Sequence, residues 1–267
     1  MQKYVVIEKL VGQTPLQAVK LFQNSHPEYS EVPLSYAGRL DPMASGKLLV
    51  LIGDECKNQK SYHGLDKEYE IEVLLDIGTD TGDVLGLVTH ADIQTESGIA
   101  DALTQVTGSF EVPYPAFSSK TVDGKPLFLH TLEGNLDSIT IPTHTETIFS
   151  IKILAKEQVS SSELQKRITN ALLLAPTSEE PSKVLGADFR QDAVRESWKR
   201  LFSAHPNRTY AVYTLRVACA SGTYMRTLAG RIGEALETKA CALSIHRTKI
   251  GRRSSVLGIS VWSRLYR

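Results

Sequence analysis

EYEIEVLL, residues 68–75, alternates apolar and acidic side chains over most of its length. Tyr69, Ile71, Val73 and Leu75 fall on one face of an extended chain, and the three glutamates fall on the other. This two-residue period predicts a strand with one face in the core and one face in solvent.

The flanking segments predict a mixture of strands and helices. Thr14 fits the N-cap and Pro15 the first position of a helix, which continues through the apolar residues Leu16, Val19, Leu21 and Phe22. Helices are also expected at residues 97–107 and 221–236, the latter capped by Thr223, and strands at residues 147–154 and 210–220. Residues 35–46 and 112–124 predict loops, while the apolar run 47–53 fits either a strand or a helix. Because the order shows no regular βαβ alternation, we expect an α+β fold.

Residues 1–267 are expected to form a single domain. Residues 160–207 are polar, helix-prone at their ends and broken by TSEEPS at residues 177–182. Since this stretch lacks a dense apolar pattern, it is interpreted as an insertion within the domain and not as a domain of its own.

The bulk composition is that of a water-soluble protein, with 42% hydrophobic and 22% charged residues. Apolar runs long enough to cross a bilayer are absent from the sequence, and the first ten residues do not resemble a signal peptide. Three widely spaced cysteines argue against a disulfide framework or a zinc site. A cytoplasmic location is therefore expected.

The net charge of zero conceals a strong asymmetry along the chain. Between residues 64 and 111 Lys67 is the only lysine or arginine, whereas between residues 207 and 267 only Glu234 and Glu237 oppose a series of arginines and lysines. Such a chain can present a basic face to phosphates while remaining neutral overall. The alternative is an Arg-rich surface that is simply solvated.

Three segments are candidates for chemistry. Asp41-Pro42 is typical of a turn, but the small residues around it would let a large ligand approach the backbone. On its own, Tyr69 on the apolar face of a strand is expected in the core, although its hydroxyl needs a polar partner and could also point into a site at the edge of the core. Arg226 falls in the first turn of a predicted helix, where the helix dipole disfavours a cation, so a fixed anionic partner or a solvated position would explain it. Metal-binding and phosphate-loop motifs are absent from the sequence.

Taken together, these segments resemble the TruB family of pseudouridine synthases. The family motif G-x-L-D-P-x-A-x-G appears as GRLDPMASG at residues 38–46, and the K-x-Y strand appears as KEY at residues 67–69. Further motifs are matched in order by TDTGD at residues 79–83, PAFSSK at 115–120, SGTYMRTLA at 221–229 and IHRTKIG at 245–251. Tyr36 occupies a position where the family commonly has histidine.

The resemblance implies a role for each matched residue. Asp41 would attack, or take a proton from, the ribose of the target uridine, and Tyr69 would stack on the flipped base and help to remove the C5 proton. Arg226 would pair with Asp41 and favour its ionised form. The residues implied to bind the substrate are Tyr36, Gly38, Arg39, Leu40, Lys120, Tyr224, Ile245 and Arg247.

The resemblance also implies the fold and the reaction. We expect a pseudouridine synthase catalytic fold, a mixed and mostly antiparallel sheet flanked by helices with the active cleft across it, without a C-terminal PUA domain. The expected reaction converts uridine to pseudouridine in tRNA, at the T-loop uridine, in a monomer that uses no cofactor or metal. Two alternatives remain: another tRNA, rRNA or mRNA uridine as the target, and a non-catalytic RNA-binding or RNA-folding protein.

Overall fold

One nine-stranded sheet forms the frame of the protein. The computed structural model describes residues 2–91, 98–175, 190–256 and 259–267. The strands are β1 Tyr4–Lys9, β2 Leu34–Ala37, β3 Ala44–Ile52, β4 Asp66–Leu75, β5 Ile77–Thr79, β6 Val88–Ala91, β7 Gly108–Pro113, β8 Thr121–Val122, β9 Lys125–Pro126, β10 Thr143–Ser160, β11 Thr209–Cys219, β12 Ala240–Val256 and β13 Ile259–Leu265.

The order of strands in this sheet is β1-β3-β12-β4-β11-β10-β7, with β2 paired to β3 and β13 paired to β12. Every pairing is antiparallel except that of β12 with β3, which is parallel. β5 pairs with β6 and β8 with β9 as separate two-stranded sheets. The predicted mixed, mostly antiparallel α+β architecture is confirmed.

Six α-helices accompany the sheet in the described part of the chain. They are α1 Pro15–Ser25, α2 Ile99–Gln105, α3 Leu127–Leu132, α4 Ser161–Leu174, α5 Gln191–Ala204 and α6 Met225–Ala235. Within the same residues, no helix combines the length and apolar character that a membrane crossing requires.

The strand predicted from EYEIEVLL lies inside the sheet, between β12 and β11. It is β4, and Ile71 and Val73 on its apolar face are fully buried. Glu70 and Glu72 on the other face are only partly exposed, because cations from neighbouring elements reach them: Arg216 contacts Glu70, and Arg167 contacts Glu72.

This arrangement changes the interpretation of the charge asymmetry. The acidic middle of the chain and its basic C-terminal part lie on adjacent strands, so many of the opposite charges face one another. Glu70–Arg216 and Glu68–Lys249 are ion pairs across paired strands, while Asp76–Arg208 lies just beyond the strand ends and Asp83–Arg226 joins a turn to helix α6. Much of the basic charge is thus used inside the fold, while Arg252, Arg264 and Arg267 remain exposed.

The loop predicted at residues 35–46 is shorter than expected. β2 and β3 extend into it from both sides, which leaves residues 38–43 as the connection. Residues 47–52 of the ambiguous apolar run lie in β3, whose residues 48–51 are fully buried, and Gly53 follows the strand. Strand pairing with β1, β2 and β12 stabilises the extended conformation here.

Residues 160–207 contribute to the main core through two helices. Leu164, Ile168 and Leu172 of α4 are buried together with apolar side chains of α5, Trp198 among them. These apolar residues recur at helical spacing within a polar background, and the interpretation of residues 160–207 as an insertion within one domain stays a prediction. Residues 177–182 lie outside the described part of the chain.

Helix α1 begins as predicted, but it buries a different face. The Thr14 hydroxyl accepts from the Gln17 backbone N–H, and the Gln17 side chain accepts from the Thr14 backbone N–H, which completes a capping box. Ala18 and Val19 are buried, whereas Leu16 and Leu21 are more than half exposed.

Candidate active site

The loop that carries Asp41 is held from behind by a buried arginine. Arg247 of β12 donates from Nε to the Lys47 carbonyl at 2.7 Å, from Nη1 to the Arg39 carbonyl at 3.0 Å and from Nη2 to the Gly38 carbonyl at 3.4 Å. Three carbonyls of one loop and strand are thereby tied to a single rigid side chain, which fixes the position of Asp41.

Gly46 is required for this contact. Its φ is +106°, and a Cβ built there would lie 2.4 Å from the Arg247 carbonyl oxygen. Any other residue would push β12 away from β3 and separate Arg247 from the loop.

Arg226 meets Asp41 as the sequence predicted. Its Nε donates to Asp41 Oδ2 at 2.8 Å, its Nη1 donates to the Thr81 carbonyl at 2.8 Å, and its Nη2 donates to the Phe117 carbonyl at 3.2 Å. The Arg226 side chain is 6% exposed and the Asp41 side chain is 42% exposed, so the carboxylate is open to a ligand while its partner is shielded. The anionic partner that a cation in the first helical turn requires is therefore present.

A second carboxylate, which sequence reasoning assigned no role, completes the arrangement. Asp83 Oδ2 lies 3.4 Å from Arg226 Nε, while Asp83 Oδ1 accepts from the Thr81 hydroxyl and the Leu85 backbone N–H. Burial raises the pKa of Asp83 to about 6, although the Arg226 guanidinium opposes the shift. The match of TDTGD at residues 79–83 to a family motif was the signal in the sequence that could have identified Asp83. The motif does not reveal that Asp83 pairs with Arg226, because that contact forms only in the folded chain.

The guanidinium of Arg226 is thus shared between two carboxylates. Burial alone would lower its pKa, but Asp41 and Asp83 outweigh that effect and raise the pKa. Gly82, with φ +76°, allows the turn to approach α6, since a Cβ there would lie 3.1 Å from the Arg226 carbonyl oxygen. Arg226 therefore stays charged and oriented toward Asp41.

Two hollows meet at Asp41. One, of about 270 Å³, is lined by Asp41, Tyr69, Tyr224 and Ile245, together with residues of the Gly38–Leu40 stretch. The other, of about 360 Å³, is lined by Asp41, Tyr36, Phe117 and Arg226 among others. We call the first the Tyr69 pocket and the second the Tyr36 pocket.

The Tyr69 pocket has an apolar floor and a buried phenol. Ile245 lies opposite Ile71 on β4 and Ala44 on β3, which places it beside Tyr69 in the sheet. Burial raises the pKa of the Tyr69 phenol, and the Arg247 guanidinium opposes the shift. The Tyr69 hydroxyl therefore keeps its proton at neutral pH.

Lys67 also lines the Tyr69 pocket. Its ammonium donates to the Leu65 carbonyl and to the Ser221 hydroxyl. Burial lowers the pKa of Lys67 to about 8, and the nearby Arg247 adds to the effect.

The structure places most of the predicted site residues in these two pockets. Asp41, Tyr69, Gly38, Arg39, Leu40, Tyr224 and Ile245 line the Tyr69 pocket, while Tyr36 and Arg226 line the Tyr36 pocket.

Two predicted substrate-binding residues lie outside both pockets, and their contact with a substrate stays a prediction. Arg247 is fully buried, and its donors are engaged by backbone carbonyls, so it supports the Asp41 loop. Lys120 lines neither pocket, and its ammonium lies 5.0 Å from the centroid of the Tyr114 ring. The family resemblance implied substrate binding for both residues, whereas the contacts of Arg247 with backbone carbonyls and of Lys120 with the Tyr114 ring depend on the folded chain.

Helix α6 also departs from prediction at its start. The N-cap is Tyr224, and the Thr223 side chain makes no capping hydrogen bond. The Tyr224 backbone N–H donates instead to the buried carboxylate of Glu146 on β10, at 2.8 Å.

Comparison with known proteins agrees with this geometry. Residues 30–170 match the model of the TruB family pseudouridylate synthase (N terminal domain). A tRNA pseudouridine synthase B of Caldicellulosiruptor saccharolyticus is 26% identical over 253 residues, which are 94% of this chain and 68% of that protein. The corresponding protein of Cupriavidus metallidurans is 26% identical over 218 residues, 81% of this chain and 53% of that protein.

A shorter sequence match and a solved structure extend the comparison. The tRNA pseudouridine synthase 4 of Saccharomyces cerevisiae is 32% identical over 155 residues, which are 57% of this chain and 37% of that protein. In the crystal structure of a Cbf5-Nop10-Gar1 complex, one chain superposes with a TM-score of 0.54 at 16% identity, covering 93% of this chain and 49% of its own. That likeness concerns the fold alone.

The chain spans between about half and two thirds of the length of the tRNA pseudouridine synthase B relatives compared here. The family match covers β2 to α4, including Asp41 and Tyr69, and the contacts above bring Arg226 from beyond the matched range to Asp41. The chain belongs to the TruB family of pseudouridylate synthases.

Proposed function

We propose that this protein converts uridine to pseudouridine in tRNA, and that its target is the T-loop uridine. The observation that carries the proposal is the Asp41–Arg226 pair at the junction of two pockets, with the carboxylate exposed and the guanidinium buried. The printed names of the relatives, tRNA pseudouridine synthases, supply the substrate class.

Asp41 begins the reaction. Its ionised carboxylate attacks the ribose or takes a proton from it, so that the bond between C1′ and N1 of the uracil breaks. The detached uracil turns within the Tyr69 pocket and rejoins C1′ through C5, while the Asp41 carboxylate leaves the ribose or returns the proton that it took. The C5 proton is lost and N1 gains a proton, so the product is an isomer of the substrate. Atoms and electrons balance without a redox partner or cofactor.

The pocket residues have separate tasks. Ile245 and Tyr69 enclose the flat base, and contact with an aromatic ring offsets part of the cost of unstacking the nucleotide, which is a few kcal/mol. Because the Tyr69 phenol keeps its proton at neutral pH, it acts as a stacking group and as one end of a proton relay, and another group must hold the C5 proton in the end.

Arg226 keeps the nucleophile in position. Its contacts with the Thr81 and Phe117 carbonyls fix the guanidinium independently of Asp41, so the carboxylate meets a preorganised partner. Arg247 holds the other side of the same loop through the carbonyls of Gly38 and Arg39. Asp41 is thereby constrained from two directions.

A second candidate keeps the reaction and changes the RNA. Tyr36 lines the larger pocket beside Asp41, at a position where the family commonly has histidine, and a phenol can stack on a base but cannot offer the same hydrogen bonds as an imidazole. This favours a uridine in another tRNA loop, in rRNA or in mRNA.

The test compares pseudouridine positions in total RNA from cells with and without the protein. Loss of the T-loop signal alone supports the first proposal, and loss of another signal supports the second. The purified protein is then incubated with transcripts of the implicated RNA and with a copy whose target uridine is replaced by cytidine. If the protein binds RNA but neither experiment detects pseudouridine that depends on it, the remaining alternative is a non-catalytic RNA-binding or RNA-folding protein.

A further inference from the structure

A buried carboxylate outside the two pockets holds the turn that leads into helix α6. Glu146 lies on β10 opposite Phe110 of β7, and its side chain is fully buried. An apolar residue is the usual occupant of such a strand position, since burying a carboxylate costs several kcal/mol unless its partners compensate. Its two side-chain neighbours make longer contacts: His144 Nε2 lies 3.4 Å from Oε1, and Arg231 Nη1 lies 3.8 Å from Oε2.

The closest partner of Glu146 is a backbone amide. Oε1 accepts from the N–H of Tyr224, the N-cap of α6, at 2.8 Å, and no side chain of the turn itself caps this helix. The amides at a helix N-terminus carry partial positive charge, so an anion is stabilised there. The hydrogen bond therefore joins β10 to the start of the helix that carries Arg226.

A second side chain of β10 contacts the same turn. His144 Nε2 lies 3.3 Å from the Gly222 carbonyl oxygen, and the His144 ring meets the Tyr224 ring edge to face with centroids 5.8 Å apart. On its other side the His144 ring stacks on Tyr114 with centroids 4.0 Å apart. Residues 222 and 224 are thus fixed by positions 144 and 146, which point to one side of the strand.

The turn held in this way belongs to the site. Gly222, Thr223 and Tyr224 line the Tyr69 pocket, and Arg226 follows within the first turn of the helix. A displacement of about 1 Å in a group that positions a reaction can cost roughly 10²-fold in rate. The position of α6 along its axis therefore matters for the contact between Arg226 and Asp41.

We infer that Glu146 is a positioning residue of the reaction, whose carboxylate fixes Tyr224 and, through α6, aligns Arg226 with Asp41. The inference rests on the proposed function. Burial raises the pKa of Glu146, and the Tyr224 amide, His144 and Arg231 oppose the shift, in agreement with a carboxylate that is retained despite the cost of its burial.

The test combines substitutions at Glu146 with two measurements. Glu146→Leu removes the acceptor, whereas Glu146→Gln keeps an oxygen that can accept from the Tyr224 N–H. The double variant Glu146→Leu/Arg231→Met removes both charges, so a buried unpaired arginine does not prevent folding. Asp76→Asn is the matched control, because Asp76 is also a buried carboxylate but contacts Arg208 and Thr238 at the far end of β4.

The first measurement is hydrogen exchange of the backbone around residue 224 in the protein without RNA. We expect faster exchange at the start of α6 in the Leu and double variants, near-normal exchange in the Gln variant and no change in the Asp76 control. The second is pseudouridine formation with saturating RNA, where kcat should fall by roughly 10- to 100-fold in the Leu and double variants while KM changes by less than about threefold. The Gln variant should recover most of the lost kcat.

Unchanged exchange and unchanged kcat in the Leu or double variant would overturn the inference. The inference would also be overturned if Asp76→Asn lost as much kcat as the Glu146→Leu and double variants while its melting temperature fell by the same amount. The loss of kcat would then follow from lower stability alone. If the unsubstituted protein forms no pseudouridine, the proposed function fails. An active, Asp41-dependent protein whose Glu146 variants behave normally would remove only this inference.

Discussion

Replacement of Arg226 by lysine should leave a folded protein with little activity. In the native protein the guanidinium reaches Asp41, Asp83 and the carbonyls of Thr81 and Phe117 at once. An ammonium on a single stem can approach one carboxylate, but it cannot span the same set of acceptors. The charge is kept and the geometry is lost.

The magnitude follows from the contacts that disappear. Two buried carbonyls lose their donor, at about 1–3 kcal/mol each, which gives a total of roughly 2–6 kcal/mol. Part of this loss appears in the free energy of unfolding, and part appears in the alignment of Asp41 in the transition state. A loss of about 3 kcal/mol in transition-state stabilisation corresponds to roughly 10²-fold in kcat.

The assay is single-turnover pseudouridine formation with saturating RNA, at a temperature where circular dichroism shows the variant to be folded. RNA affinity should change by less than about threefold, because Arg226 itself is only 6% exposed. Arg216→Lys is the matched control: Arg216 pairs with Glu70 at the surface, where such pairs are worth about 0–1 kcal/mol, so its variant should keep full activity. A folded Arg226→Lys protein with the native kcat would refute the role given to the guanidinium.

Three further predictions concern the surroundings of Asp41. Arg247→Met should lower the free energy of unfolding by several kcal/mol and reduce kcat, because the carbonyls of Gly38, Arg39 and Lys47 lose their donor. The salt dependence of RNA binding should stay unchanged, whereas a salt slope lower by about one unit would indicate that Arg247 contacts a phosphate. Burial raises the pKa of Asp83 from its usual value of 3.8 to about 6, so the native state binds this proton more tightly than the unfolded state does. The contribution of this proton to stability therefore falls as the pH rises from about 4 to 6. In urea titrations, the unfolding free energy of the native protein minus that of Asp83→Asn should thus decrease by up to about 3 kcal/mol across this window, and a flat difference would contradict the burial of the charge. Tyr36→His should change the relative rates of pseudouridine formation on different RNA transcripts more than it changes the rate on the preferred transcript. If the relative rates are the same in the native protein and in the variant, Tyr36 has no part in RNA recognition.

The sequence predicted the parts of this protein that depend on local or periodic patterns. The alternation at residues 68–75 depends on burial of one face, and β4 has that face in the core. The cap at Thr14 uses atoms within four residues of one another, so its chemistry is contained in the local sequence. The Asp41–Arg226 contact was predicted for a different reason: a cation in the first helical turn needs an anion, and the family motif identified which one.

The sequence could not predict contacts that depend on which strands become neighbours. Arg247 looked like an RNA ligand until β12 paired with β3 and brought its guanidinium against the loop carbonyls. The acidic middle and the basic C-terminal part of the chain could not be seen to face one another until β4 lay between β11 and β12. Glu146 carried no signal at all, since its partner is a backbone amide on a helix far along the chain.

Asp41→Asn tests the central claim most directly. The substitution preserves size and leaves an oxygen to accept from Arg226, but it removes the negative charge and the nucleophile. Pseudouridine formation by the purified variant should be abolished, while its affinity for the same RNA stays within about threefold of the native value. Product formed at the native rate by Asp41→Asn would contradict the assignment of this carboxylate as the catalytic group.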